Sequence, residues 1–127
     1  MQIELSTKDL EFRNEIQSFI EENLETDVAE KVKLGYYLTK EEVNSWTRKL
    51  NDKGWAAPHW PSEVGGQNWT MIRRHVFDIE MRRAHAPTLQ GFGFNMVGPA
   101  IAKYGTEDQK ATYLPKILDA THSWCQG

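Results

Sequence analysis

The side chains best suited to metal binding or nucleophilic chemistry are four histidines, His59, His75, His85 and His122, and a single cysteine, Cys125. Their spacing supports neither role. No histidine pair stands at i, i+4 and no second cysteine completes a thiolate pair, so no metal site is expected. Cys125 lies near His122 in the chain, yet a nucleophile needs a base within reach and a third group to orient that base. The sequence marks no such group, and the simpler reading of Cys125 is a small apolar residue in a strand. Arg73-Arg74 and Arg82-Arg83 invite a phosphate-binding reading. However, Asp78 precedes Arg82 by four and Glu80 precedes Arg83 by three, the spacings of intrahelical ion pairs. Gly91-Phe92-Gly93-Phe94 lacks the spacing and the lysine of a phosphate loop. Small residues beside large aromatics in a helix instead clear room at the backbone, for a neighbouring helix or for an apolar ligand. The residues by themselves mark no catalytic constellation.

The elements that carry these residues read as helices. Ser6 with Asp9 three residues on forms a start signal, and Leu5 and Leu10 stand at staple positions. Phe12, Ile16, Phe19 and Ile20 follow at helical spacing. Glu21, Glu22, Glu25, Asp27 and Glu30 have the wrong sign for a helix C-terminus, so a fray or break is expected there. Thr39 and Glu42 make a capping box for a helix over 40–53, which Gly54 closes. Residues 55–68 are punctuated by Pro58, Pro61 and Gly65-Gly66 and form a loop. Trp55 and Trp60 are expected to fold it back onto the domain, because exposing them is costly. A third helix runs from about Thr70 to Ala84, with Ile72, Val76 and Ile79 on one face and Phe77, Met81 and Ala84 beside it. A fourth pattern spans about Leu89 to Tyr104, loosened by Gly91, Gly93 and Gly98. Thr106 and Gln109 cap a fifth helix, expected to be short because Pro115 disfavours helical geometry at Leu114; Pro115 is then free to open a further turn through Ala120. The tail from Thr121 has no helical stripe and reads as the beginning of a strand.

Composition bounds the function. A chain of 127 residues with 39% apolar and 26% charged residues is one globular domain's worth. Fifteen basic against eighteen acidic residues give a net charge of −3, which disfavours a nucleic-acid partner. Apolar runs are only a few residues long, far short of the ~20 that cross a bilayer, so no membrane span is expected. Met1 is not followed by a basic patch and an apolar run, so no secretory leader is expected either. The single cysteine excludes an internal disulfide and fits a reducing, cytoplasmic or similar intracellular compartment.

Three stretches, in order, give the chain a family resemblance. The first is Gly54-Trp55-Ala56-Ala57-Pro58-His59-Trp60-Pro61, followed by Gly65-Gly66. The second is Gly98-Pro99, leading through Lys103-Tyr104-Gly105-Thr106-Glu107 and Gln109-Lys110 to Tyr113-Leu114-Pro115-Lys116-Ile117. The third is Trp124-Cys125-Gln126-Gly127. Together they resemble the N-terminal helical domain of the acyl-CoA dehydrogenase family, over nearly the whole chain. The resemblance implies an all-α fold, an orthogonal or up-down bundle of about five helices over residues 1–120. Residues 121–127 would then be the start of the first strand of a middle β-domain. It also implies FAD as cofactor, an acyl-CoA thioester as substrate, α,β-dehydrogenation as the reaction, electron-transfer flavoprotein as a partner, and a homo-oligomer.

By the same resemblance, the fourth helix lines the acyl slot through Phe92, Phe94, Asn95 and Met96, and Gln126 and Gly127 touch FAD. The family's flavin-binding segment, its catalytic glutamate and its remaining domains have no counterpart in these residues. Neither Glu80 nor Glu107 is a substitute base, so no catalytic residue is assigned and the chain by itself is expected to be inactive. A stand-alone helical interaction or dimerisation module derived from that family is the alternative.

Overall fold

The computed structural model describes residues 4–127; residues 1–3, on which the leader reading begins, lie outside the described residues. Among the described residues all regular structure is helical. The elements are α1 (Thr7–Asn23), α2 (Thr26–Leu34), α3 (Lys40–Lys53), a 3₁₀ turn (Ser62–Val64), α4 (Met71–Arg83), a wide π-type segment (Phe92–Val97) that continues into α5 (Gly98–Tyr104), and α6 (Glu107–Leu118). They fall into two compact units. One comprises the chain up to Leu38 together with Trp69–Pro87; the other comprises Thr39–Asn68 and Thr88–Gly127.

In the first unit α1 packs on α4. The Ser6 hydroxyl accepts the Asp9 N–H at 3.2 Å and the Asp9 carboxylate accepts the Ser6 N–H at 3.2 Å, so aspartate closes the capping box. Phe12, Ile16, Phe19 and Ile20 are buried as their spacing requires, whereas Leu10 stays 39% exposed. The acidic run is resolved by a break. Leu24 turns extended, and α2 restarts with Asp27 in its first turn and Lys31 and Lys33 in its last, which reverses an unfavourable dipole interaction. The buried face of α4 is Val76, Phe77 and Glu80; Val76 and Phe77 were expected there, whereas Ile72 is 40% exposed and Glu80 takes a core position. Trp69, just ahead of the helix, sits 4.9 Å from the Phe12 ring and 5.2 Å from the Phe77 ring and supplies the apolar contact there. Glu80 is only 5% exposed. Its carboxylate accepts from Gln17 Nε2 at 2.9 Å and from Arg83 Nη1 at 3.1 Å, the pairing a buried charge demands.

In the second unit α3 spans the expected residues. The Thr39 N–H donates to Glu42 Oε2 at 2.7 Å, and Gly54 closes the helix at φ 81°. The following loop folds back as expected, with Trp55 5% and Trp60 3% exposed. Gly66 is obligatory in that loop, because a Cβ there would lie 1.7 Å from the Trp60 carbonyl oxygen. The fifth-helix expectation needs correction, since α6 runs straight through Pro115 and on to Leu118. Proline in a helix interior costs about 3 kcal/mol. Leu114 and Ile117, each 2% exposed, and Leu118 at 9% anchor the helix on both sides of it, so packing overrides the local preference. The expected strand in the tail also does not form: residues 121–127 join no ladder, because a strand exists only with a partner to exchange hydrogen bonds. Cys125 is exposed rather than buried there, whereas Trp124 packs edge-on against Tyr113 at 5.8 Å.

Two substitutions test this backbone. Ala120 ends α6 in the left-handed region at φ 62°, so Ala120→Gly is expected to stabilise by about 0.5–1 kcal/mol. Gly66→Ala is expected to destabilise by about 3 kcal/mol. Urea unfolding followed by circular dichroism reads both, and a stability-neutral Gly66→Ala would contradict the described turn.

Candidate functional site

The residues expected to line a slot lie on one helical run from Gly91 to Tyr104, whose middle is wider than an α-helix. The Gly98 N–H reaches back five residues to the Gly93 carbonyl instead of four. Two side chains from the preceding loop meet this segment at one atom. The Phe94 carbonyl accepts from Trp60 Nε1 at 2.7 Å and from His59 Nε2 at 2.9 Å. The Trp60 indole packs against Gly98, where an added Cβ would come within 2.0 Å of its Cζ2. Trp60 also faces the Phe94 ring at 6.0 Å. The room cleared at Gly98 is thus filled by a tryptophan of the same unit, and at Gly93 by Ile117 and Trp124.

This packing sorts the four expected residues into two groups. Phe94 points inward and is 5% exposed, part of the core. Phe92 and Met96 are 41% and 51% exposed, and Asn95 is exposed with them. Phe92 and Met96 are four residues apart and share an outward face, continued by Ala100 and by Tyr104, which is 78% exposed. Gln126 and Gly127 lie exposed in the tail. The tail is tied to the start of the helical run, where Gln90 Nε2 donates to the Ser123 hydroxyl at 3.3 Å. Sequence reasoning named His59, Trp60 and Pro99 but did not join them to Phe94. Pro99 inside a helical pattern was a visible anomaly, but no local signal joins residues 59 and 60 to residue 94.

Two concavities in this unit are not the slot. One, of about 10 Å³ beneath Gly93 and Phe94 and lined also by Asn44, Gln90 and His122, has room for about one water and not for an acyl chain. The other is an open groove of about 790 Å³ that contains Glu63, Glu107 and Asp119 with a single lysine, Lys110, and none of the expected residues. Its acidic rim is the wrong sign for the phosphates of coenzyme A. Glu107 is 93% exposed at its side chain and paired with Lys110 at 3.3 Å. The described residues contain no group of three or more metal-binding side chains.

The division between Phe94 and its neighbours is measurable. Phe94→Ala is expected to cost about 3–5 kcal/mol of stability, and Phe92→Ala or Met96→Ala less than about 1 kcal/mol each, as for surface positions. Equal losses at all three in denaturant titration would show that the outward face is not open.

Comparison with known proteins locates this unit pair. Residues 6–121 match the family model described as acyl-CoA dehydrogenase, N-terminal domain. The acyl-CoA dehydrogenase IpdE1 of Mycolicibacterium smegmatis is 38% identical over 122 residues, covering 92% of this chain and 31% of that protein. The IpdE1 protein of Mycobacterium tuberculosis is 34% identical over 122 residues, covering 92% of this chain and 32% of its own length. Among solved structures, the Tcur3481-Tcur3483 steroid ACAD G363A variant is similar at a TM-score of 0.71 and 31% identity, over 91% of this chain and 30% of that one. The ChsE4-ChsE5 complex from Mycobacterium tuberculosis is similar at a TM-score of 0.69 and 30% identity, over 94% of this chain and 30% of that one. The chain therefore spans about a third of the length of the relatives it matches. It belongs to the acyl-CoA dehydrogenase family and corresponds to that family's N-terminal helical domain.

Proposed function

We propose that this chain supplies the N-terminal helical domain of an FAD-dependent acyl-CoA dehydrogenase, and that the face bearing Phe92, Asn95 and Met96 forms part of the wall of its acyl slot. The observation that supports this is the exposed apolar face at Phe92 and Met96, held from beneath by a buried Phe94 and Trp60. Each methylene of an acyl chain laid on such a face contributes about 0.8 kcal/mol when buried. Phe94 acts from below, as packing support.

In this reading a bound FAD would supply the hydride acceptor for α,β-dehydrogenation, and Gln126 and Gly127 are the residues of this chain that would touch it. Gln126 and Gly127 are exposed and outside any helix, which fits backbone contact at the cofactor's edge; two residues do not enclose a flavin, so most of its site lies outside this chain. The base also lies outside. Glu80 is held by Gln17 and Arg83, and Glu107 by Lys110, so neither stands free beside the proposed slot. Electron-transfer flavoprotein is the proposed electron acceptor. An oligomer of family members is proposed from the similarity to a structure titled as a complex. The residues assigned to an FAD contact and to a β-domain's first strand, 121–127, lie outside any helix and join no ladder, which leaves their edge available to a strand supplied elsewhere. An exposed cysteine suits a reducing cytoplasmic location, and no helix among the described residues is long and apolar enough to cross a membrane.

The test is reassembly. Co-expression with the flavin-binding remainder of a relative is expected to give flavin absorbance bands and acyl-CoA-dependent dye reduction that neither piece gives alone. Straight-chain and polycyclic acyl-CoA esters form separate arms, since one similar structure is titled a steroid enzyme. In the assembled enzyme, Met96→Trp is expected to lower kcat/KM for the preferred ester about tenfold. Flavin retained by the chain alone, or a stable dimer that never captures the remainder, would replace this reading with the stand-alone module.

A further inference from the structure

One backbone atom in the proposed slot wall has an unusual set of partners, and the cause is in the sequence. In a wide turn each carbonyl bonds the N–H five residues on, as Gly93 does with Gly98. The next carbonyl, that of Phe94, would need the N–H of residue 99. Residue 99 is proline and has none. The N–H four residues on, at Gly98, already serves Gly93. A buried carbonyl without a donor is costly, and this one has two lone pairs to fill. His59 Nε2 and Trp60 Nε1 fill both, at 2.9 and 2.7 Å. A carbonyl only accepts, so His59 must carry its proton on Nε2. Gly98 makes the arrangement possible, because any side chain there would strike the Trp60 ring.

We infer that His59, Trp60 and Pro99 are positioning residues for slot specificity: together they hold Phe92–Val97 in the wide register that keeps Ala100 and Tyr104 on the outward face of Phe92 and Met96. The register decides the surface. Removing the extra residue of the wide turn rotates the side chains on one side of it by about 100° relative to the other. Phe92 and Met96 would still share a face, being four residues apart, but Ala100 and Tyr104 would leave it. Neither His59 nor Trp60 needs to touch a ligand for this, since both act through the Phe94 carbonyl. That the outward face meets an acyl group rests on the function proposed above; the register itself does not.

The experiment uses the 127-residue chain, labelled for NMR, with substitutions that remove or supply donors. The double variant H59L/W60F removes both donors, and it is expected to speed amide exchange across residues 94–98 by about tenfold or more and to move the Met96 methyl resonance. Adding P99A gives residue 99 its N–H and is expected to restore protection to within about threefold of wild type. Unchanged exchange in the double variant, or no rescue by P99A, overturns the inference. If the double variant does not fold, W60F alone decides: the ring still covers Gly98, and losing one donor shifts the Phe94 carbonyl carbon signal upfield. An unmoved signal overturns the inference. In the reassembled enzyme, H59L/W60F is expected to change the KM ratio of long to short acyl-CoA esters about threefold or more with kcat held, and adding P99A to reverse that change. A moved register with an unmoved KM ratio overturns the acyl-wall reading and the specificity role while the clamp stands, whereas an unmoved register overturns the clamp itself.

Discussion

The proposed ligand surface of this chain depends on how one carbonyl oxygen is satisfied. Phe94 lies in the middle of a helical run that Pro99 prevents from closing its own hydrogen bonds, and the missing donors arrive from His59 and Trp60. That single requirement explains several features at once. It explains why a loop with two prolines is packed against a helix rather than solvated, why Trp60 is buried, and why residue 98 has no side chain. Backbone polar groups must be paired wherever water is excluded. Here the pairing also sets which side chains the helix presents.

The same accounting governs the first unit in a different form. Glu80 occupies a core position of α4, where an apolar residue would ordinarily stand. It is tolerated because Gln17 and Arg83 bring donors to both carboxylate oxygens. A buried carboxylate near a pair of arginines resembles catalytic machinery when read along the chain. In the folded unit its partners make it a structural tie between α1 and α4. The arginine pairs dissolve in the same way: Arg83 bonds Glu80, and Arg73 lies over the Phe12 ring at 5.1 Å and 3.9 Å from Asp9.

How far the outward face of the slot residues extends was not legible in one dimension. Phe92, Phe94, Asn95 and Met96 look equivalent as a glycine-spaced run, and an ordinary helix would have put Phe92 and Met96 on one face and Phe94 elsewhere by angle alone. What the wide turn adds is the alignment of Ala100 and Tyr104 with that face, and it is held by contacts with residues some 35 positions earlier in the chain. Pro115 teaches the converse. Its local veto on helix was sound chemistry, but burial of Leu114, Ile117 and Leu118 outweighed it.

The sequence by itself determined the helical class, the capped starts at Ser6, Thr39 and Thr106, the break after the acidic run, and the glycine that closes α3. These are local matters, settled by a side chain reaching a backbone group within three or four residues. The order of its motifs also carried the family. Tertiary structure alone decided the inward face of α4, the continuity of α6 through proline, and the register of the helix that carries the proposed slot wall. Each of these turns on a partner distant in sequence, and packing energy summed over such partners exceeds any one residue's conformational preference.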